Sequence, residues 1–259
     1  MAISPIVAVW ILCAAAIVAL VVAALAWRQR ERPAALPLAV AMVAEAWWAA
    51  GYAAELLAGP EATLFWANVQ WFGSVWVSVA WFIFALEYTG NDKYVNAGSI
   101  AALSIVPTFA SILVWTNSAH GLVRRGVETA PEGGLVILPQ TYGPGFWLAI
   151  GYGYALAMVG SGLFLLLVVR SPSLFGSQSI AVLIAAATPA IGNGLYVTGA
   201  LPWPWFDPTP VTFAVSGLAG VYAIRSERLF DRTSVPRALG RSAVVDGMDD
   251  GVVVVVGQP

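Results

Sequence analysis

Long apolar runs, broken by short polar clusters, organise this chain from its first residues to about position 225. The first run extends from about Ile6 to Trp27 and stops at Arg28, Arg30 and Arg32. The second extends from about Ala34 to Leu57 and stops at Gly59-Pro60. The third covers about Thr63 to Phe84, the fourth Ala97 to Trp115, and the fifth Gly145 to Val169. The sixth covers about Ser179 to Thr198 and the seventh Pro208 to Ile224. Each is close to ~20 residues, the length at which a helix crosses the hydrocarbon of a bilayer. The expected fold is an all-α integral membrane protein, a bundle of seven transmembrane helices. Three segments follow: the bundle at 1–225, a polar Arg-rich exit helix at 226–241, and a closing segment at 242–259. In that last segment two Asp-Gly pairs precede five valines, the pattern of a turn followed by a strand that opens a soluble domain.

The cationic side chains orient the bundle. Arg28, Arg30, Arg32, Lys93, Arg170, Arg225, Arg228, Arg232, Arg237 and Arg241 fall on one side, and only Arg124 and Arg125 on the other. Positive charge gathers on the cytoplasmic side, so the N-terminus is expected outside and the C-terminus in the cytoplasm. A multi-pass place in the plasma membrane follows, with the lipid bilayer as first partner. Trp10, Trp27, Trp66, Trp115, Trp147, Trp203 and Trp205 lie near run ends, where interfacial aromatics belong. The longest loop, Thr116 to Pro144, is on the outer side. Its Gly133-Gly134 pair before Leu-Val-Ile-Leu predicts a small hairpin over the bundle mouth.

Composition narrows the function. The 259 residues are 59% hydrophobic and 10% charged, against about 25% charged in soluble domains. A net charge of −2 leaves no basic stripe for nucleic acid. Cys13 is the only cysteine and His120 the only histidine, so neither a disulfide within the chain nor a metal site is expected. The first charge, Arg28, follows the first run rather than preceding it, unlike a cleavable signal peptide. The only lysine, Lys93, lies in a cytoplasmic loop. Retinal needs a buried lysine for its Schiff base, so no such cofactor is expected. No nucleophile–base pair and no phosphate-binding loop is evident, and no catalytic activity is expected of this chain.

Ionisable groups inside the runs cost free energy unless they meet a partner or water. Glu45, Trp48, Tyr52 and Glu55 share one narrow face of the second helix. Two carboxyls flanked by two aromatics would line a pocket for a cation or a polar amphiphile. The plainer alternative has Glu45 protonated or bonded to a neighbouring helix, and Glu55 reaching the outer interface. Gln70 and Asn68, in the outer half of the third run, adjoin Trp71. Asn193 follows Pro189 by four residues and meets either the carbonyl that proline frees or a neighbouring helix. The candidate ligand-binding set is therefore Glu45, Trp48, Tyr52, Glu55, Gln70, Trp71, Asn193 and Tyr196. Pro189, Arg225 and Arg228 are the candidate relay residues. Glu87 is expected to be solvated at the cytoplasmic face or paired with an arginine of the first cytoplasmic loop. The small residues Gly151, Gly153, Ala157, Gly160 and Ser161 suit close packing, within the bundle or in a homodimer.

Several stretches resemble one family. These are AWWAAGYAAELL (46–57), WANVQWFGSVWVSVAWFIFALEYTGND (66–92), TNSAHGL (116–122), YGPGFW (142–147), the stretch Pro189 to Asn193, and DPTPVTF (207–213). The exit AIRSERLFDRTSVPR (223–237), followed by VVDGMDDGVVVV (244–255), completes the pattern. Together they look like the N-terminal seven-helix sensor region of membrane histidine kinases. That resemblance implies that the bundle perceives an unidentified signal; an unknown small-molecule or lipid ligand is the expected partner. It implies a relay through the seventh helix to a cytoplasmic PAS and kinase module, in cis or in trans, and dimeric action. The phospho-accepting histidine and the ATP-binding boxes of the kinase are not in this sequence. The alternative reading is a small-molecule or ion transporter, which would show matched broken helices in two repeated halves. Pro107 and Pro189 make no such pair. A lipid-processing enzyme and a dimerising scaffold are weaker rivals.

Overall fold

The computed structural model describes residues 4–125, 130–132, 135–137, 141–170, 187–201, 205–213 and 216. Five of its helices are long and apolar enough to cross a membrane: α1 (Pro5–Arg28), α2 (Ala35–Leu57), α3 (Pro60–Tyr88), α4 (Ala97–Trp115) and α6 (Pro144–Arg170). A short α5 (Asn117–His120) precedes the strands of the loop between α4 and α6. Residues 187–197 and 209–213 are also helical and belong to the sixth and seventh expected spans. The rest of those two runs, the exit helix and the strand expected within 242–259 lie outside the described residues.

The helix ends follow from local chemistry. Pro60 starts α3 three residues before the expected Thr63, because its fixed φ and missing N–H suit the first helical position. Asn96 and Ser99 form a capping box on α4: Asn96 Oδ1 accepts from the Ser99 N–H at 3.1 Å, and Ser99 Oγ accepts from the Asn96 N–H at 3.0 Å. Inside α4, Pro107 cannot donate to the carbonyl of Leu103. The Tyr152 hydroxyl of α6 donates to that carbonyl at 2.8 Å and ties the two helices.

Packing sorts the apolar residues by face. On α1, Ala8, Leu12, Ala15, Ala19, Val22 and Ala26 turn inward, while Trp10, Ile17, Leu20 and Val21 face out. Small residues on the inner stripe let α2 approach closely. The tightest crossing is between α2 and α3. A Cβ on Gly51 would lie 2.8 Å from Gln70 Cβ, and one on Gly73 would lie 2.5 Å from the Ala44 carbonyl oxygen. No larger residue fits at either point. Helix α3 also packs on α4 and α6. Gly153 faces Ser78 and Gly160 faces Ala85, so these small residues serve a contact within the bundle.

The end of the bundle at the α1–α2 turn differs from the expectation for Glu87. Its Oε2 accepts from the Ala34 N–H at 2.8 Å, not from an arginine. Ala34 adopts φ +64°, a left-handed turn that aims its N–H back at α3. Beside it Trp81, Phe84, Tyr88 and Phe164 pack ring against ring.

The loop between α4 and α6 adds a little β structure to the helices. Strand β1 (Arg124–Arg125) pairs antiparallel with β4 (Thr141–Tyr142), and β2 (Ala130–Glu132) with β3 (Leu135–Ile137). The expected hairpin around Gly133-Gly134 is the β2–β3 pair, and β3 lies against α2 and α3.

Candidate functional site

The loop after α4 is built to place one arginine. The Asn117 side chain accepts from the N–H groups of Val123 (2.8 Å) and Arg124 (3.1 Å) and donates to the Arg124 carbonyl at 2.9 Å. Gly121, at φ +61°, makes the left-handed turn that closes α5 and brings this segment back. Gly143 and Gly145 donate to the carbonyls of Val123 and Leu122 at 2.9 and 2.7 Å, and Tyr142 stacks on Phe146. The motifs around Asn117 and Gly143 are thus two sides of one clamp.

Held this way, Arg124 turns into the bundle. It is 5% exposed. Its Nη1 donates to Asn68 Oδ1 at 2.6 Å and its Nη2 to the Ala67 carbonyl at 3.0 Å. The guanidinium carbon sits 5.9 Å from the centre of the Trp71 ring, within cation–π reach. Burial lowers the Arg124 pKa, and the Glu55 carboxylate opposes that shift. Glu55 is buried between α2 and α3 and accepts from the Gln70 side-chain amide.

A second network lies beside the first. The Asp207 side chain accepts from both the N–H (2.9 Å) and the hydroxyl of Thr209, which starts the helical turn at 209–213. The Asp207 N–H donates to the Tyr52 hydroxyl at 3.0 Å, and that hydroxyl donates to the Trp205 carbonyl at 3.2 Å. Asn193 Nδ2 donates to the Thr209 hydroxyl at 3.2 Å, and Asn193 Oδ1 accepts from the Tyr154 hydroxyl at 3.0 Å. Burial raises Asp207 to a pKa of about 6, against the opposing pull of its Thr209 hydrogen bonds. Tyr196 is in electrostatic contact with Tyr52, Tyr142 and Asp207, which joins the two networks.

Of the residues expected at a site, Tyr52, Glu55, Gln70, Asn193 and Tyr196 meet in this cluster beneath the loop after α4. Trp71 forms its wall and gives its indole N–H to the Ala110 carbonyl at 3.3 Å. Trp48 lies a turn deeper, edge to face with Phe213. Glu45 stands apart, ten residues from Glu55 and so about 15 Å along the helix axis. It is fully buried, and its carboxyl has no hydrogen-bond partner among the described residues. Pro189 is buried one turn before Asn193, while Arg225 and Arg228 lie outside the described residues. Sequence reasoning missed Arg124, Asp207, Thr209 and Tyr154 as site residues. The Asp-Pro-Thr stretch at 207–209 carried a readable signal, because such a triplet before an apolar run is a helix start.

No group of three or more His, Cys, Asp or Glu able to hold a metal occurs among the described residues. His120 accepts from the Leu122 N–H at 3.0 Å and touches the Thr116 hydroxyl at 3.1 Å.

Apolar helices around buried polar side chains, closed by a structured loop, define a polytopic membrane protein. The model of one family, the N-terminal 7TM region of histidine kinases, matches residues 11–233. The chain belongs to that family. No curated protein and no solved structure matches it.

Proposed function

We propose that this chain is the sensory input module of a histidine-kinase-type transducer, and that the buried outer cluster receives its signal. One observation carries the reading. Two neighbouring polar networks, joined electrostatically through Tyr196, hold the buried Arg124 and Glu55 and the half-buried Asp207, and they reach from the loop after α4 to residues 205–209, where the seventh span begins. A ligand that competes for these groups acts on the entry to that span directly.

In this reading the bundle has seven spans, with the N-terminus outside and the C-terminus in the cytoplasm of a plasma-membrane protein. Two arrangements of similar free energy exchange, and a small-molecule or lipid ligand shifts them by its differential affinity, typically about 1–3 kcal/mol. Pro189, Arg225 and Arg228 lie on the relay toward a PAS and kinase output in cis or in trans, and a homodimer is the working form. No cofactor and no nucleic acid take part.

The test joins the chain to a histidine-kinase output and measures basal autophosphorylation in membranes. Arg124→Gln and Asn193→Ala each shift it about tenfold, because each removes bonds that hold one arrangement. Unchanged phosphorylation in both variants, at wild-type membrane levels, rejects the outer cluster as the input.

A further inference from the structure

A groove of about 380 Å³ opens between α3 and α4 on the lateral surface of the bundle. Phe72 and Trp76 line one side, and Thr108, Ser111, Ile112 and Trp115 of α4 line the other, with Thr116 just beyond. None of these side chains is charged. The helices are joined beside it at two points. Trp71 gives its indole N–H to the Ala110 carbonyl, and Phe65 packs edge to face on Trp115 with ring centres 5.7 Å apart. The short side chains of Thr108 and Ser111 stand opposite two large rings and leave the space between the helices unfilled.

Two hydroxyls of the groove are satisfied by their own helix. Ser111 Oγ donates to the Pro107 carbonyl at 2.7 Å, and Thr116 Oγ1 to the Ile112 carbonyl at 2.9 Å. The indole N–H of Trp76 is different: it is buried without a hydrogen-bond partner among the described residues. A donor in that state costs free energy, and native proteins seldom keep one without a use for it. Helical side chains lean toward the helix N-terminus, so the Trp76 ring lies over the preceding turn. There its centre is 5.7 Å from that of Phe72.

Three properties define what fits. The lining is uncharged and rich in aromatic rings, which suits a flat neutral molecule. The unmet donor asks for an uncharged acceptor such as a carbonyl oxygen. The mouth opens among Ile105, Phe109 and Ile112, all more than half exposed on α4, so it is continuous with the face that meets hydrocarbon. Entry is therefore from the bilayer. An acyl chain supplies no acceptor in hydrocarbon, because its ester oxygens stay near the headgroups.

We propose that this groove binds a membrane-dissolved, uncharged ring compound bearing a carbonyl, of the quinone class. Its ring rests on Phe72 and Trp76, a carbonyl oxygen accepts from the Trp76 N–H after a small turn of the indole, and its alkyl tail stays in the bilayer. The site goes beyond the sensor reading and shares no residue with the buried polar cluster. It does adjoin that cluster, since Trp71, which carries the Arg124 guanidinium, is bonded at its floor to Ala110.

The full chain in phosphatidylcholine vesicles is photolysed with an azido derivative of decylbenzoquinone, and the label is mapped by peptide mass spectrometry. Label is expected at 72–76 and 108–116, displaced by excess decylbenzoquinone. Trp76→Phe keeps a ring without the N–H and is expected to weaken that displacement about fivefold or more. On the wild-type chain, decylbenzene, which has the ring and tail but no carbonyl, should displace the label at least as much less well, a comparison that stands even if the variant does not fold. Label spread evenly over exposed residues such as Ile17 and Leu20 of α1, or displacement by decylbenzene equal to that by the quinone, overturns the proposal. So does unchanged displacement in a folded Trp76→Phe. In a Cys13→Ser background, Ile112→Cys should remain uncrosslinked between copies on oxidation; a crosslinked dimer assigns the groove to a second copy of the chain and overturns it as well.

Discussion

Arg124 is the residue on which the outer cluster turns. Its guanidinium gives two hydrogen bonds to α3, and a charged donor of this kind contributes about 1.5–3 kcal/mol. Arg124→Gln is therefore expected to lower the unfolding free energy in detergent by about 2 kcal/mol, while Arg125→Gln, at an exposed position, changes it little. Asp207 predicts a pH effect with a definite sign. Its carboxyl titrates at about 6 in the folded chain, above its ordinary 3.8. Between those values the native state binds more protons than the unfolded one, so this group's contribution to stability falls as pH rises through that window. The thermal midpoint should drop more between about pH 4.5 and pH 7 in the wild type than in Asp207→Asn. Equal slopes in the two proteins would contradict the burial of that carboxyl. The charge pattern could not expose Arg124, because an arginine in an outer loop reads as solvated. Its partner Asn68 is distant in sequence, and only the clamp by Asn117 brings the two together.

At the scale of elements, most of the helices were legible. The fourth run coincides with α4 from Ala97 to Trp115, and the first, second and fifth differ from α1, α2 and α6 by single residues. Hydrocarbon demands an unbroken apolar stretch of fixed length, and so marks its own ends. How those helices cross was not legible, since crossings depend on which small residues face each other. The contact between α2 and α3 illustrates this. Gly73→Ala would push its methyl into the Ala44 carbonyl, and is expected to cost about 1–3 kcal/mol in unfolding free energy. Gly151→Ala meets nothing within 4 Å and should be neutral. The α4–α6 tie gives a smaller effect. Tyr152→Phe leaves the Leu103 carbonyl unbonded beside Pro107, and a loss of about 1 kcal/mol is expected in the same assay.

For the whole molecule, the family match and the apolar helices agree on a membrane-embedded sensor region. The position of Glu45 on the inward face was readable from helical periodicity; its isolation from Glu55 was not, because one helical face says nothing of what covers it at each depth. The direction of signalling depends on topology: the outer cluster must face one compartment and the chain's last residues the other. Labelling intact cells with a membrane-impermeant thiol reagent tests this most directly. In a Cys13→Ser background the reagent should modify Arg125→Cys and leave Lys93→Cys untouched until the cells are opened, and a tag at the C-terminus should be shielded like Lys93→Cys. Labelling of Lys93→Cys in intact cells, or a C-terminal tag exposed alongside Arg125→Cys, would contradict the account.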